Sequence, residues 1–190
     1  MIWLRHLKNF INRLFKKEIP FQIGENELLV RGIGHFIFYS INDKKLKREA
    51  FLPPPDKADV SLLRRNYTTD DFCKNHGMKL QMTGYNYCGL ATFFCCQVNE
   101  INADSLITIK PILKGSPIDQ YEKYIELPPV FTSTPGLPMH ANLIYPYPAV
   151  KGKVNTSYRL FAQQMIKKAN FHEDPNPGLN GKWLGPKLLP

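Results

Sequence analysis

The chain of 190 residues contains no apolar run approaching the about 18 residues that a membrane-crossing helix needs. Cysteine is scarce, with only Cys73, Cys88, Cys95 and Cys96. Two of these are adjacent, and neighbouring cysteines seldom bridge because their Cβ vectors diverge. A secreted disulfide scaffold places more cysteines in fewer residues. We therefore expect reduced thiols, no structural disulfides and a cytoplasmic location. The basic, apolar N-terminus lacks the uninterrupted apolar stretch and small-residue cleavage site of a signal peptide. Walker loop, dinucleotide-binding fingerprint, nucleophile elbow, HExxH and zinc-deaminase signatures are all missing. Their absence sets aside the common nucleotide-hydrolysing and dinucleotide-dependent enzymes. Repeats and low-complexity tracts are missing too.

Acidic residues are absent from residues 1–17, where Arg5, Lys8, Arg13, Lys16 and Lys17 give a charge of +5. Residues 151–190 carry another +5, from seven bases against Glu173 and Asp174. The middle holds thirteen bases and fourteen acids, so the basicity belongs to the two ends. Brought together, those ends would form a surface for phosphate or an acidic protein. A hydrophobic fraction of 43% with 12% aromatics calls for a buried core, which excludes a disordered chain.

The length fits one domain with arms. Residues 2–16 place Trp3, Leu4, Leu7, Phe10, Ile11, Leu14 and Phe15 at helical spacing opposite a basic face. We read 1–18 as a basic amphipathic helix, with Trp3, Leu7, Phe10 and Leu14 as candidate partner contacts. Residues 21–170 read as an α+β globular domain, and 171–190 as a Pro/Gly-rich arm packed on it. Within the domain, strands are expected at 28–33, 35–41, 59–63, 104–113 and 141–145 from their β-branched and aromatic content. A helix of about two turns is expected within 68–77, capped by Thr68 and closed by Gly77 in the left-handed conformation. Residues 87–98 run uncharged and must be buried, but periodicity leaves strand and helix equally open. Residues 156–169 form the clearest helix, with Tyr158, Phe161, Ala162, Met165 and Ile166 on one face. The fold class is thus α+β, a single domain with a mixed or mostly antiparallel sheet flanked by N-terminal and C-terminal helices.

Three sets of residues could carry chemistry. His140 stands where a proline-rich stretch, 128–148, enters a strand, a common place for an acid–base or ligand-contacting residue. Arg31, Arg64 and Arg65, with Tyr67, and the pair Lys167 and Lys168 are candidates to hold phosphate or nucleic acid. Cys73 and His76 lie three apart, a spacing zinc accepts, but no second ligand pair accompanies them, so no metal and no cofactor is expected. The first reading is a non-catalytic binding or accessory protein that engages a larger protein or nucleic acid through its basic ends. The alternatives are a small enzyme acting on a nucleotide or nucleic acid with His140 and an arginine in its site, and a peripheral membrane protein anchored on a membrane surface by the N-terminal helix.

Overall fold

The architecture is that of a computed structural model, which describes residues 22–80, 84–115, 139–150, 155–179 and 181–189. Its central strand is β1 (Leu28–His35), where Leu29, Arg31 and Ile33 alternate with Val30 and Gly32 across the two faces. β5 (Asn86–Phe94) runs antiparallel beside it along its whole length, and β8 (Asn170–Glu173) pairs with the outer edge of β5. On the other edge β4 (Asp59–Arg64) meets β1 only at Leu29↔Arg64 and Val30↔Leu63, then continues the sheet through β7 (His140–Ile144) and β6 (Ile112–Gly115). The short strands β2 (Tyr39–Ser40) and β3 (Lys45–Leu46) complete an eight-stranded, mostly antiparallel mixed sheet. With three α-helices among the described residues, described next, this is an α+β fold.

Each face of the sheet buries apolar side chains, so each must be covered. On one face Leu29, Ile33, Val60, Leu62, Ala91, Phe93, Ala141 and Leu143 pack against Tyr158, Phe161, Ala162 and Met165 of α3 (Thr156–Lys168). The other face carries Val30, Leu63, Tyr87 and Leu90, covered by Cys73 and Met78 of α1 (Asp70–Met78) and by Trp183 and Leu188. Residues 174–176 are held to α1 by a buried ion pair. The Lys74 ammonium lies 3.0 Å from the Asp174 carboxylate and donates to the Asn176 carbonyl.

The uncharged run 87–98 is both strand and helix. β5 ends at Phe94 and α2 (Cys95–Ala103) begins at the next residue. The switch happens here because the first amides of α2 find partners outside it. Cys95 and Cys96 donate to the Glu27 and Glu25 carbonyls, while the Gln97 side chain accepts from the Phe94 amide. Four expectations from sequence need correction. The strand expected over 35–41 is interrupted after His35 and resumes only as β2, because Phe36 takes φ +71° and turns the chain, with Phe38 donating to the Gly34 carbonyl. The strand expected over 104–113 is present only from Ile112. The Asp104 carboxylate accepts from the Leu106 amide and folds that stretch into a local turn. Helix α1 is capped by Thr69 rather than Thr68, its hydroxyl accepting from the Phe72 amide. Gly77 lies inside α1 rather than closing it, and its reason for being glycine is packing, taken up below. The helix expected over 2–16 lies outside the described residues.

Candidate active site under the helix-covered face of the sheet

The register of β4 against β7 sets Ser61 opposite Asn142 and Leu63 opposite His140. Ser61 and His140 are therefore diagonal neighbours on one face, close enough for long side chains to touch. The Ser61 hydroxyl and His140 Nε2 are 2.7 Å apart, a hydrogen bond in which either can donate, according to the imidazole tautomer. Their surroundings differ. Ser61 is exposed, whereas His140 is 4% exposed. An exposed serine thus carries a sequestered imidazole on its hydroxyl, the relation a nucleophile needs with its general base.

A second imidazole arrives from α1. The His76 ring centroid is 6.1 Å from that of His140, and on its other side the ring stacks with Phe72. Burial, together with the nearby His140 and Lys79, pushes the His76 imidazole down to about 4, so it is neutral at physiological pH. Its Nδ1 is buried and makes no hydrogen bond among the described residues. The close approach of α1 that brings His76 there depends on glycine. A Cβ on Gly32 would stand 2.6 Å from the Gly77 Cα, and one on Gly77 would stand 2.7 Å from the Tyr87 ring.

Arg31 lies on the opposite face yet acts on the same serine. β1 and β4 part after Val30 and Leu63, so the carbonyl of Ser61 has no strand partner on that side. The Arg31 guanidinium spans the gap, donating from Nη1 to the Ser61 carbonyl at 2.9 Å while lying 5.1 Å from the centre of the Phe38 ring. Burial lowers its affinity for the proton to about 10, which leaves it cationic at neutral pH. Two candidates from sequence, Arg31 and His140, are thereby joined through Ser61, one at its backbone and one at its side chain.

The remaining candidates are placed elsewhere. Arg64 is 0% exposed and its Nε and Nη2 donate to both oxygens of Glu27, with the guanidinium 4.7 Å from the centre of the Tyr67 ring. A guanidinium neutralised inside the fold does not serve as a phosphate contact, and that role is withdrawn from Arg64. Arg65 donates to Asp70 at 2.6 Å and to the Thr68 carbonyl at 2.5 Å, tying the turn before α1. Lys167 and Lys168 are exposed on the last turn of α3, Lys168 lying 2.5 Å from Glu100. Trp3, Leu7, Phe10 and Leu14 lie outside the described residues.

Cys73 is buried in apolar surroundings that push its thiol up to about 12. Among the described residues no group of three or more His, Cys, Asp or Glu is arranged to hold a metal ion. Cys88 and Cys95 are also pushed up by burial, to about 12 and about 11, which disfavours a cysteine nucleophile.

Ser61 was not among the residues singled out from sequence. An isolated serine in a strand carries no motif, and only the β4–β7 register makes it a partner of His140. No protein-family model, curated protein or solved structure matches the chain, so its function rests on the site itself.

Proposed function

We propose that the chain is a small ester hydrolase or transferase with Ser61 as nucleophile and His140 as general base. The 2.7 Å contact between an exposed hydroxyl and a sequestered imidazole carries this reading. His140 takes the Ser61 proton as the oxygen attacks the ester and returns it to the leaving alcohol. Water, deprotonated by the same imidazole, then releases the group held on serine. Arg31 is a positioning residue in this scheme, fixing the Ser61 backbone from behind. Asn142 stands opposite Ser61 in the register, on the same face of the sheet. The overall charge of +9 favours anionic esters, which makes a nucleotide or nucleic-acid phosphoester the substrate class to try first.

The test is a panel of p-nitrophenyl acetate, p-nitrophenyl phosphate and bis(p-nitrophenyl) phosphate, with a fluorophosphonate probe followed by peptide mass analysis. The expected result is labelling of Ser61, lost in Ser61→Ala. Turnover should fall about 10²- to 10⁴-fold in His140→Gln, the usual contribution of a general base. Wild-type protein with no turnover and no label on Ser61 would end this reading.

The accessory-protein reading is our second proposal, supported by the exposed Lys167 and Lys168 on the last turn of α3. It predicts that Lys167→Glu with Lys168→Glu weakens binding to short oligonucleotides alike for all sequences, while Ser61→Ala leaves binding intact.

A further inference from the structure

Residues 36–47 leave the sheet as a short excursion and return to it. Phe38 and Tyr39, both buried, anchor it, and β2 with β3 gives it a hairpin base. Three of its apolar side chains turn outward, leaving Phe36 67%, Ile37 42% and Ile41 54% exposed. Lys44, Lys45 and Lys47 are exposed in the same excursion, against a single acid, Asp43, which accepts from the Ser40 hydroxyl. Lys47 donates to the Phe36 carbonyl at 2.7 Å, placing a cation at the base of the apolar tip.

Phe36 is an expensive choice here. At φ +71° its Cβ is crowded against its own backbone, where glycine or asparagine would be at ease. Its ring, tilted against His35 at 3.8 Å between centroids, stays in water. Folding gains little from a bulky aromatic in that position, so a role at a surface accounts for it better than a role in stability.

We propose that the segment 36–47, through its exposed Phe36, Ile37 and Ile41 and its exposed Lys44, Lys45 and Lys47, docks on an anionic lipid surface. Apolar side chains beside lysines suit the boundary where acyl chains meet charged headgroups. The composition favours lipid over nucleic acid, because isoleucine offers no ring on which a base can stack. The site is remote in sequence from Ser61 and does not depend on its chemistry.

The experiment is co-sedimentation of the full chain with phosphatidylcholine vesicles, with and without 30% phosphatidylserine. Each lysine near a charged leaflet strengthens partitioning roughly fivefold, so three give an advantage on the order of a hundredfold for the anionic vesicles, reduced by salt. Phe36→Asn combined with Ile37→Ser and Ile41→Ser should lower partitioning at least tenfold, with an unfolding midpoint no lower than that of the wild type. Lys44→Glu with Lys45→Glu, at two exposed positions, should lower it as well and provides a check that does not touch the strained turn. Absence of wild-type binding to anionic vesicles overturns the proposal, as does binding that survives both sets of substitutions. Tip-dependent binding to a single-stranded oligonucleotide in place of vesicles also overturns it.

Discussion

Gly32→Ala tests whether the packing of α1 on β1 sets the site. The new Cβ would lie 2.6 Å from the Gly77 Cα and 3.5 Å from its carbonyl carbon. Comfortable carbon–carbon contacts begin near ~3.5 Å, so helix and strand must part by about 1 Å. The obstructing atoms are backbone, which no rotamer change can remove. Overpacking of this kind costs about 1–3 kcal/mol. Alanine recovers about 0.5–1 kcal/mol over glycine through its smaller loss of chain entropy. The net expectation is destabilisation by up to about 2.5 kcal/mol, read as a lower urea midpoint at constant slope. His76 should report the same displacement. Its imidazole sits at about 4 because α1 holds it against the sheet, and a lifted helix should raise that value toward 6.5 in an NMR titration. Gly77→Ala is the control. Its obstacle is mainly the Tyr87 ring, and the helix-propensity gain of about 1 kcal/mol offsets more of the cost. A Gly32→Ala protein with an unchanged midpoint and an unchanged His76 titration would refute the claim that this contact positions the site.

Acid should destabilise the protein through His76. The unfolded imidazole binds its proton near 6.5 and the folded one only near 4, so the unfolded state binds more protons between these values. Stability therefore falls as pH drops through that window, by about 3 kcal/mol in all, and the His76 contribution changes no further below it. Denaturation midpoints from pH 7.5 to 4 should show this slope, and His76→Gln should flatten it; an equal slope in the variant would refute the assignment. Lys74→Met leaves the Asp174 carboxylate buried without its cation and should cost about 3–5 kcal/mol. Adding Asp174→Leu should recover much of the loss, and a double variant no better than the single one would place the cost in packing.

Much of the fold was legible because local chemistry and the buried pattern agree. Helix α3 runs from Thr156 to Lys168 with Tyr158, Phe161, Ala162 and Met165 buried, the face its 3.6-residue period marks. Strands β1, β4 and β7 follow from short apolar runs with one or two core faces. The failures have a common cause, a single tertiary or local contact outweighing propensity. Residues 35–41 have strong β preference, yet the left-handed turn at Phe36 breaks them. Residues 87–98 have no internal signal to end the strand, because the groups that accept from the first amides of α2 sit about seventy residues earlier, at Glu25 and Glu27.

The sequence by itself determined the α+β class, the burial of Cys73 and Cys95 and the interest of Arg31 and His140, since composition and periodicity follow from which side chains water rejects. Only the tertiary structure decided what those residues meet. Hydrophobic pattern tells which face of a strand is buried but says nothing of which strand lies next to it. The pairing of β4 with β7 puts Ser61 against His140, the parting of β1 from β4 sends Arg31 to the Ser61 carbonyl, and two glycines let α1 bring His76 alongside. Those contacts join residues as far as 79 positions apart, a distance over which chain geometry fixes nothing until the sheet has formed.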